Sequence, residues 1–577
     1  MTTAGFGAEL FLGRLRTALL TPPAGDPRRL TDADERFLAG LREFCDKQVD
    51  SHLIEREDRI PDDVVTGLRR LGALAIRIPR EYGGLGLSGR CYLRALMIVN
   101  SAHSSLGELL AAHQAIGLPQ PVLLAGTEEQ KRALLPRCAT EISAFALTEP
   151  DIGNDPFRMR TTAVPDAAGD TYTLNGVKSW TTNGTIADLL VVMAMVPPGA
   201  GRPGGMTVFV VDATAPGVTV AHRSSFLGLR GLENGVIRLH DVVVPADRRI
   251  GPEGAGLTVA LAAQETGRLS LSSVSAGAAK WSLRIARQWS NARVQWGRPI
   301  GEHDAIAGKI AYLAATAFAL EAMVEITGGR ADRGADTALD AELAKLFAAE
   351  HTWRVADDLV QIRGGRGYET AESAAARGER GVPAERLLRD VRIGRIFDGS
   401  TEALRVFIAD AVVALHRGAP PEPAAEPLTD HPGFATDTLT GHLGFAAETA
   451  GRVAAAFAEL AGQDGDPDTG QRTVGRLVDV AAELYAMSTA CAYAAALRPG
   501  DDTPARLADT FCRQARTRIT ALLTSTTDNT DAEDRALARA VLADGLTWLE
   551  EGVVDPSIDG PWIAEPAPGP QQRRSPR

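Results

Sequence analysis

Asp398 is the residue of this chain best placed by its neighbours to move a proton. With Gly399 and Ser400 it interrupts two amphipathic runs, Leu387, Leu388, Val391, Ile393 and Ile396 before it and Leu404, Phe407 and Ile408 after it. The acid therefore falls at a helix break. Gly399 would let backbone approach a ligand closely, and Ser400 is a good cap whose hydroxyl and following N–H groups could hold a phosphate or ribose. Flanked by Ile396 and Phe397 rather than by charge, the carboxylate is a candidate general base with a raised pKa. An Asp before Gly is also an ordinary turn or cap residue, so this stretch alone leaves both readings open.

Other chemistries find less support. The five cysteines (Cys45, Cys91, Cys138, Cys491 and Cys512) are odd in number, widely spaced and form no CxxC pair, which fits reduced thiols in a cytoplasmic protein and neither a zinc site nor a disulfide framework. Gly84, Gly86 and Gly89 spell GxGxxG, but Pro79 to Tyr82 stands where a strand would be needed, so a loop before a helix at 91–100 is expected. With 73 acidic against 61 basic residues, no basic stripe is available for nucleic acid. Met1 to Leu20 does not read as a signal peptide, and no apolar run reaches the roughly 18 residues of a spanning helix. Membrane contact has no positive support either, since a basic amphipathic stretch is missing.

The elements that must position Asp398 can be read from periodicity. At 577 residues several domains are expected, and the 45% apolar and 23% charged fractions are those of a soluble globular protein. After an N-terminal segment (1–29), residues 30–143 read as a helical domain, with Leu38, Leu41, Phe44 and Cys45 on one face. Residues 144–252 change to short β-rich runs, 172–176, 189–196, 206–211, 218–221, 236–239 and 242–244, which suit a small antiparallel barrel or sandwich. Residues 253–415 return to long helices, where Ile306, Ile310, Leu313, Ala317 and Leu320 form a stripe suited to a four-helix bundle. PPEPAAEP marks a linker (416–430), Val474, Leu477, Ala481, Leu484 and Met487 mark a further helical domain (431–556), and the Pro- and Arg-rich 557–577 should be disordered. The fold class is thus mainly α with a central β domain.

Five segments at the joins carry a resemblance. They are FALTEPDIGND (145–155), NGVKSWTTNG (175–184), RVQWGRP (293–299), QIRGGRGY (361–368), and RDVRI (389–393) through DGS (398–400). Together they resemble the acyl-CoA dehydrogenase flavoproteins, in that family's order, over about 30–414. The helical extension resembles the longer, very-long-chain type. The resemblance implies FAD as cofactor, with Leu147 and Thr148 at the flavin's pyrimidine edge, Trp180 against the ring and Thr182 near N5. Gly153, Asn154, Ser400 and Glu402 match further cofactor positions, and Asn154, Arg268 and Gly399 match the substrate side. Arg293, Gln295 and Trp296, with Gln361, Gly364 and Gly365, match residues that reach the partner chain's cofactor, which implies a homodimer.

The reaction so implied converts an acyl-CoA, or acyl-carrier, thioester to its trans-2-enoyl form. A carboxylate takes the α-proton while the β-hydrogen leaves as hydride to flavin N5, and the base residue's own N–H helps to polarise the thioester oxygen. The expected electron acceptor is an electron-transfer flavoprotein. The family's usual base is Glu; here the position holds Asp398, shorter by one methylene, on the order of 1.5 Å of reach, where about 1 Å of misplacement can cost roughly a hundredfold. The alternative base position falls at Gly267, and Glu265 would point elsewhere on its helix. Two other readings fit an Asp there: oxidation of a different carbon acid, as in the nitroalkane oxidases, and a flavin-bound assembly protein. The insertion 369–383 is expected to be a solvated helix-loop.

Overall fold

Side-chain caps start the N-terminal helices where the sequence changes character. Thr31 and Asp34 close a capping box on Asp32–Gln48, and Thr127 with Gln130 does the same for Glu128–Cys138. Ser88 accepts from the Cys91 N–H at the head of Gly89–Ala102, so the GxGxxG stretch is a loop running into a cap, as its context requires. The computed structural model describes residues 5–22, 27–199, 201–418, 437–462, 470–497 and 501–563.

The middle domain is one eight-stranded sheet. Its strands are β1 (Ser143–Ala146), β2 (Thr162–Pro165), β3 (Thr171–Thr182), β4 (Leu189–Val196), β5 (Gly205–Asp212), β6 (Val218–Arg223), β7 (Asn234–Pro245) and β8 (Arg249–Ile250), in the order β6-β7-β3-β2-β4-β5-β8 with β1 beside β4. It is mixed rather than purely antiparallel, because β1 and the first residue of β2, Thr162, both pair parallel to β4. The sheet curls on itself: Leu174, Ile237 and Leu239 share a core with Leu190, Val192 and Phe209. The other face of β4, Leu189, Val191 and Met193, packs with Leu118 and Leu135 of the helical domain. Burial on both faces explains why β4 is an unbroken apolar run.

The bundle is built from Gly256–Ala292, Asp304–Ala331, Ala338–Arg363 and Thr401–Gly418. Asp304–Ala331 is long and apolar enough to cross a membrane by composition, but its most apolar window is 72% buried inside the protein, as a core helix requires. In its stripe, Leu313, Ala317 and Leu320 are buried and Ile306 and Ile310 lie at the margin. The extension helices Asp437–Ala461, Gln471–Ala496 and Thr503–Thr524 continue the same core. The N-terminal segment is part of it too: Phe6 and Phe11 are fully buried, and the Phe11 ring meets Phe457 edge-on at 5.6 Å. The linker at 416–430 falls almost wholly outside the described residues, as does the tail beyond 563. The insertion forms a short helix, Ala371–Ala376, with Arg366 and Arg377 paired to Glu379 and Glu369 at the surface.

Candidate active site

The helix Ala384–Val391 runs into a 3-10 turn, Arg392–Arg395, and the chain then reverses hand. Asp398 has φ 51° and Gly399 has φ 85°. Asp tolerates this left-handed region better than most side chains, and Gly adopts it without strain. Ser400 then caps Thr401–Gly418 by accepting from the Ala403 N–H at 3.2 Å, so the break falls where the sequence put it. Lys345, fully buried on Ala338–Arg363, pins the turn from behind: its Nζ donates to the Gly399 carbonyl at 2.6 Å.

Burial pushes the Asp398 carboxyl above the usual carboxylate range, and the charges of Lys345 and Arg268 oppose this only in part. Asp398 nevertheless keeps some accessible surface and is not sealed into the packed core. Opposite stands Gly267, where an added Cβ would lie 3.9 Å from Asp398 Oδ2 and 3.1 Å from Ile116 Cγ2. Glu265 is turned away, accepting from the Thr337 hydroxyl at 2.5 Å. Arg268 is buried rather than solvated; its Nη1 donates to Glu342 at 2.6 Å and its guanidinium lies 5.6 Å from the Phe407 ring centroid.

A buried ion pair joins the two segments expected at the flavin ring. Lys178 on β3 reaches Glu149 at 2.9 Å and the Leu147 carbonyl at 3.0 Å, while the Ser179 N–H donates to the Thr148 carbonyl. Burial alone would raise the Glu149 carboxyl, but Lys178, the Thr161 hydroxyl and the Arg160 N–H outweigh it and hold the group below its ordinary value. One residue later β3 bulges against β7. Trp180 takes φ 50° there and stays 57% exposed, as a bulge that re-aims a side chain beside a site would require. Asn234 braces the bulge, its Nδ2 donating to the Trp180 carbonyl and the Thr182 hydroxyl at 3.0 and 3.1 Å. An outward indole and open backbone at Gly153 leave room for a flat heteroaromatic ring on this side of the sheet. Asn154 Nδ2 stands 3.5 Å from Ser400 Oγ, the outer limit of a hydrogen bond, and brings this edge to the Asp398 turn.

The remaining cofactor candidates lie elsewhere. Gly267 and Arg293 bound 26 residues of one helix, roughly 40 Å along its axis at 1.5 Å per residue. Arg293 leads into an exposed hairpin, Val294–Gln295 paired with Arg298–Pro299, whose turn residues Trp296 and Gly297 both have positive φ. Trp296 is 89% exposed. Gln361, Gly364 and Gly365 sit exposed at the same end of the bundle, where the Trp289 indole N–H donates to the Ile362 carbonyl at 3.1 Å. Glu402 is exposed on the first turn of the helix that Ser400 caps. The structure thus joins the segment of Asn154 to the Asp398–Ser400 turn through Asn154 and Ser400, and sets the two motifs expected to face a partner chain apart as a pair.

Two positioning groups, and one buried acid, escaped the sequence reading. Lys178 and Lys345 look like solvated surface residues until strand and helix phase bury them, although Lys178 stands inside a motif. Glu108, whose carboxyl feels the Asp398 charge, lies in a helix with no motif at all.

A helical domain, a curled sheet carrying an exposed Trp, and a bundle that delivers an enclosed carboxylate suit a flavin-dependent dehydrogenase. Residues 31–141, 144–242 and 254–413 match the N-terminal, middle and C-terminal domains of acyl-CoA dehydrogenase, so the chain belongs to the acyl-CoA dehydrogenase family, whose members are FAD oxidoreductases. It is 48% identical to the probable acyl-CoA dehydrogenase FadE10 of Mycobacterium tuberculosis over 98% of this chain and 92% of that protein. The mitochondrial very long-chain specific acyl-CoA dehydrogenase of Rattus norvegicus is 34% identical over 70% of this chain and 61% of its own. Among solved structures, the acyl-CoA dehydrogenase of Bacillus anthracis complexed with FAD superposes with a TM-score of 0.75 at 26% identity, covering 90% of this chain and 94% of that one.

Proposed function

We propose that Asp398 is the base of this dehydrogenase, taking the α-proton of an acyl-CoA thioester as it becomes the trans-2-enoyl product. The observation that carries this is the desolvated carboxyl, held in a left-handed turn and facing an open Gly267. Desolvation makes the anion a stronger base than an exposed Asp, while the charges of Lys345 and Arg268 favour the anion. The Asp398 N–H has no partner among the described residues and is free to polarise the thioester oxygen as negative charge develops there. FAD, when bound, supplies the acceptor for the hydride leaving the β-carbon. Leu147, Thr148, Trp180 and Thr182 would hold its ring, and Gly153, Asn154 and Ser400 would contact the rest of the cofactor.

The paired, exposed motifs at the far end of the bundle support a homodimer in which Arg293, Gln295, Trp296, Gln361, Gly364 and Gly365 complete the partner's cofactor site. An electron-transfer flavoprotein is the proposed acceptor, fatty acid oxidation the proposed role and the cytoplasm the proposed compartment; five buried, unbridged thiols support a reducing one. Anaerobic titration with a series of acyl-CoA thioesters tests the reaction. Bleaching of the flavin in the wild type, lost in Asp398→Asn at full FAD content, is the expected result; bleaching retained in that variant would refute the assignment.

A further inference from the structure

The turn that carries Asp398 is flanked by two arginines that share one acid. Arg395 ends the 3-10 turn before it, and Arg405 lies about one turn into the helix Thr401–Gly418 after it. Both reach Glu350 of Ala338–Arg363: Arg395 Nε stands 2.9 Å from Glu350 Oε2, and Arg405 Nη2 donates to Glu350 Oε1 at 3.1 Å. The same helix carries Lys345, whose Nζ holds the Gly399 carbonyl. One helix of the bundle therefore ties down the chain before, within and after the turn.

The last member of this network comes from outside the bundle. Arg405 Nε donates to Asp479 Oδ1 at 2.8 Å, and Asp479 belongs to the extension helix Gln471–Ala496. One turn earlier on that helix is Gly475, where an added Cβ would lie 3.2 Å from Arg405 Cδ. A Gly in a helix interior costs roughly 1 kcal/mol relative to Ala; here its missing side chain lets the Arg405 stem lie against the extension. The run Asp479–Arg405–Glu350–Arg395 balances two acids against two bases. None of the four side chains is more than 30% exposed, so water and salt compete for them only in part.

We propose that Asp479 is a positioning residue for the base: through Arg405 and Glu350 the extension fixes the Asp398 turn, and so contributes to proton transfer as well as covering the bundle. The turn needs such support. Asp398 holds φ 51°, and a left-handed residue other than Gly persists where its surroundings over-determine it. The helix that Asp479 restrains begins at Thr401, three residues after the base, so any roll of that helix moves the carboxyl directly. Asp398, a methylene shorter than Glu, has little reach with which to make good the displacement. A misplacement of about 1 Å can cost roughly a hundredfold, so a turn loosened by part of that should cost about tenfold in the rate of flavin reduction.

The proposal rests on Asp398 being the base, and one experiment separates the two. Anaerobic stopped-flow reduction, with the acyl-CoA that reduces the wild type fastest, gives a limiting rate and an apparent Kd for wild type, Asp479→Ala, Asp479→Asn, Tyr493→Phe and Asp398→Asn. FAD absorbance and the thermal midpoint are recorded for each. Tyr493→Phe is the structural control: it removes another bond between extension and bundle, Tyr493 to Glu321 at 3.0 Å, about four turns along the same helix. Asp479→Ala should lower the limiting rate about tenfold with the Kd unchanged. Asp479→Asn still accepts from Arg405 without the charge, a bond roughly half as strong, and should lose about threefold. Tyr493→Phe should cost stability and leave the limiting rate in place. Because Asp479 acts through Glu350, Glu350→Gln should cost less in the Asp479→Ala background than in the wild type. A limiting rate unchanged in both Asp479 variants, one lowered as much in Tyr493→Phe, or effects of Asp479→Ala and Glu350→Gln that simply multiply would overturn the proposal alone. Reduction retained in Asp398→Asn would overturn the assignment of the base, and this proposal with it.

Discussion

A Cβ placed on Gly267 would point at Asp398, 3.9 Å from its Oδ2. A helix of the bundle and the turn before another therefore face each other here, and either position could carry a carboxylate into the space between them.

Removing the base should test this directly. Asp398→Asn is expected to slow flavin reduction by roughly a thousandfold, within the range of general base catalysis. Asp398→Glu should cost about a hundredfold, because the added methylene drives the carboxyl into Gly267 and a Glu fits φ 51° poorly. Adding Gly267→Glu and Ile116→Ala to Asp398→Asn should recover measurable reduction, the second change relieving the 3.1 Å approach to Ile116. Stopped-flow absorbance reads all three, and a triple variant as inert as Asp398→Asn, though FAD-replete, would show that the two positions do not share a substrate.

The Lys345 ammonium donates to the Gly399 carbonyl and favours the Asp398 anion. Asp398 must be ionised to act, so kcat/KM should rise with pH through its elevated pKa. In Lys345→Met the loss of a positive charge raises that pKa further, and the ascending limb should move to higher pH. A limb that stays in place or moves down would show that Lys345 acts on the turn alone.

Much of this site was legible because its segments interrupt periodicity. The break at Asp398 shows as an acid, a Gly and a Ser between two helical stripes, whereas the hairpin around Trp296 and Gly297 gave no periodic signal of its own. The sheet was harder. β1 and β2 are four residues each, too short to show alternation, and the parallel pairing of β1 with β4 depends on a partner more than forty residues away. β4 hides its faces because both are buried, so the run reads as apolar without direction. Glu108 was invisible for a different reason: a carboxylate in an amphipathic helix looks solvated until the fold shows what covers it.

Lys178 is fully buried and Glu149 nearly so, at 2.9 Å from each other. Removing one member strands a buried charge, which typically costs 3–5 kcal/mol, about as much as a marginal domain has to lose. Lys178→Met should therefore lower the thermal midpoint and FAD occupancy, since the pair ties Leu147 and Thr148 to the strand that carries Trp180. The double variant Lys178→Met/Glu149→Gln should recover part of both. Equal losses in single and double variants, by calorimetry and flavin absorbance, would contradict a paired role.

His113 makes the join between helical domain and sheet sensitive to acid. It is fully buried in the π-helical turn, where Nδ1 accepts from the Ser143 N–H at 3.0 Å and Nε2 faces the Leu74 and Cys138 carbonyls at 3.1 and 3.0 Å. The proton therefore sits on Nε2. Burial pulls its pKa down to about 4; the Cys138 and Leu74 carbonyls oppose that shift, and Arg69 adds to it. The unfolded chain takes up a proton near pH 6.5 and the folded chain only near 4, so between these values the unfolded state binds more protons. The stability this site contributes is complete above about pH 6.5 and is lost as pH falls, by about 3 kcal/mol at pH 4. His113→Gln should be less stable than wild type at pH 7 by about 2 kcal/mol, from lost hydrogen bonds in a buried turn. That gap should narrow steadily toward pH 4.5 in urea titrations, because the variant has no imidazole to protonate on unfolding. A gap that stays constant across the range would mean that His113 is not the group whose protonation loosens this join.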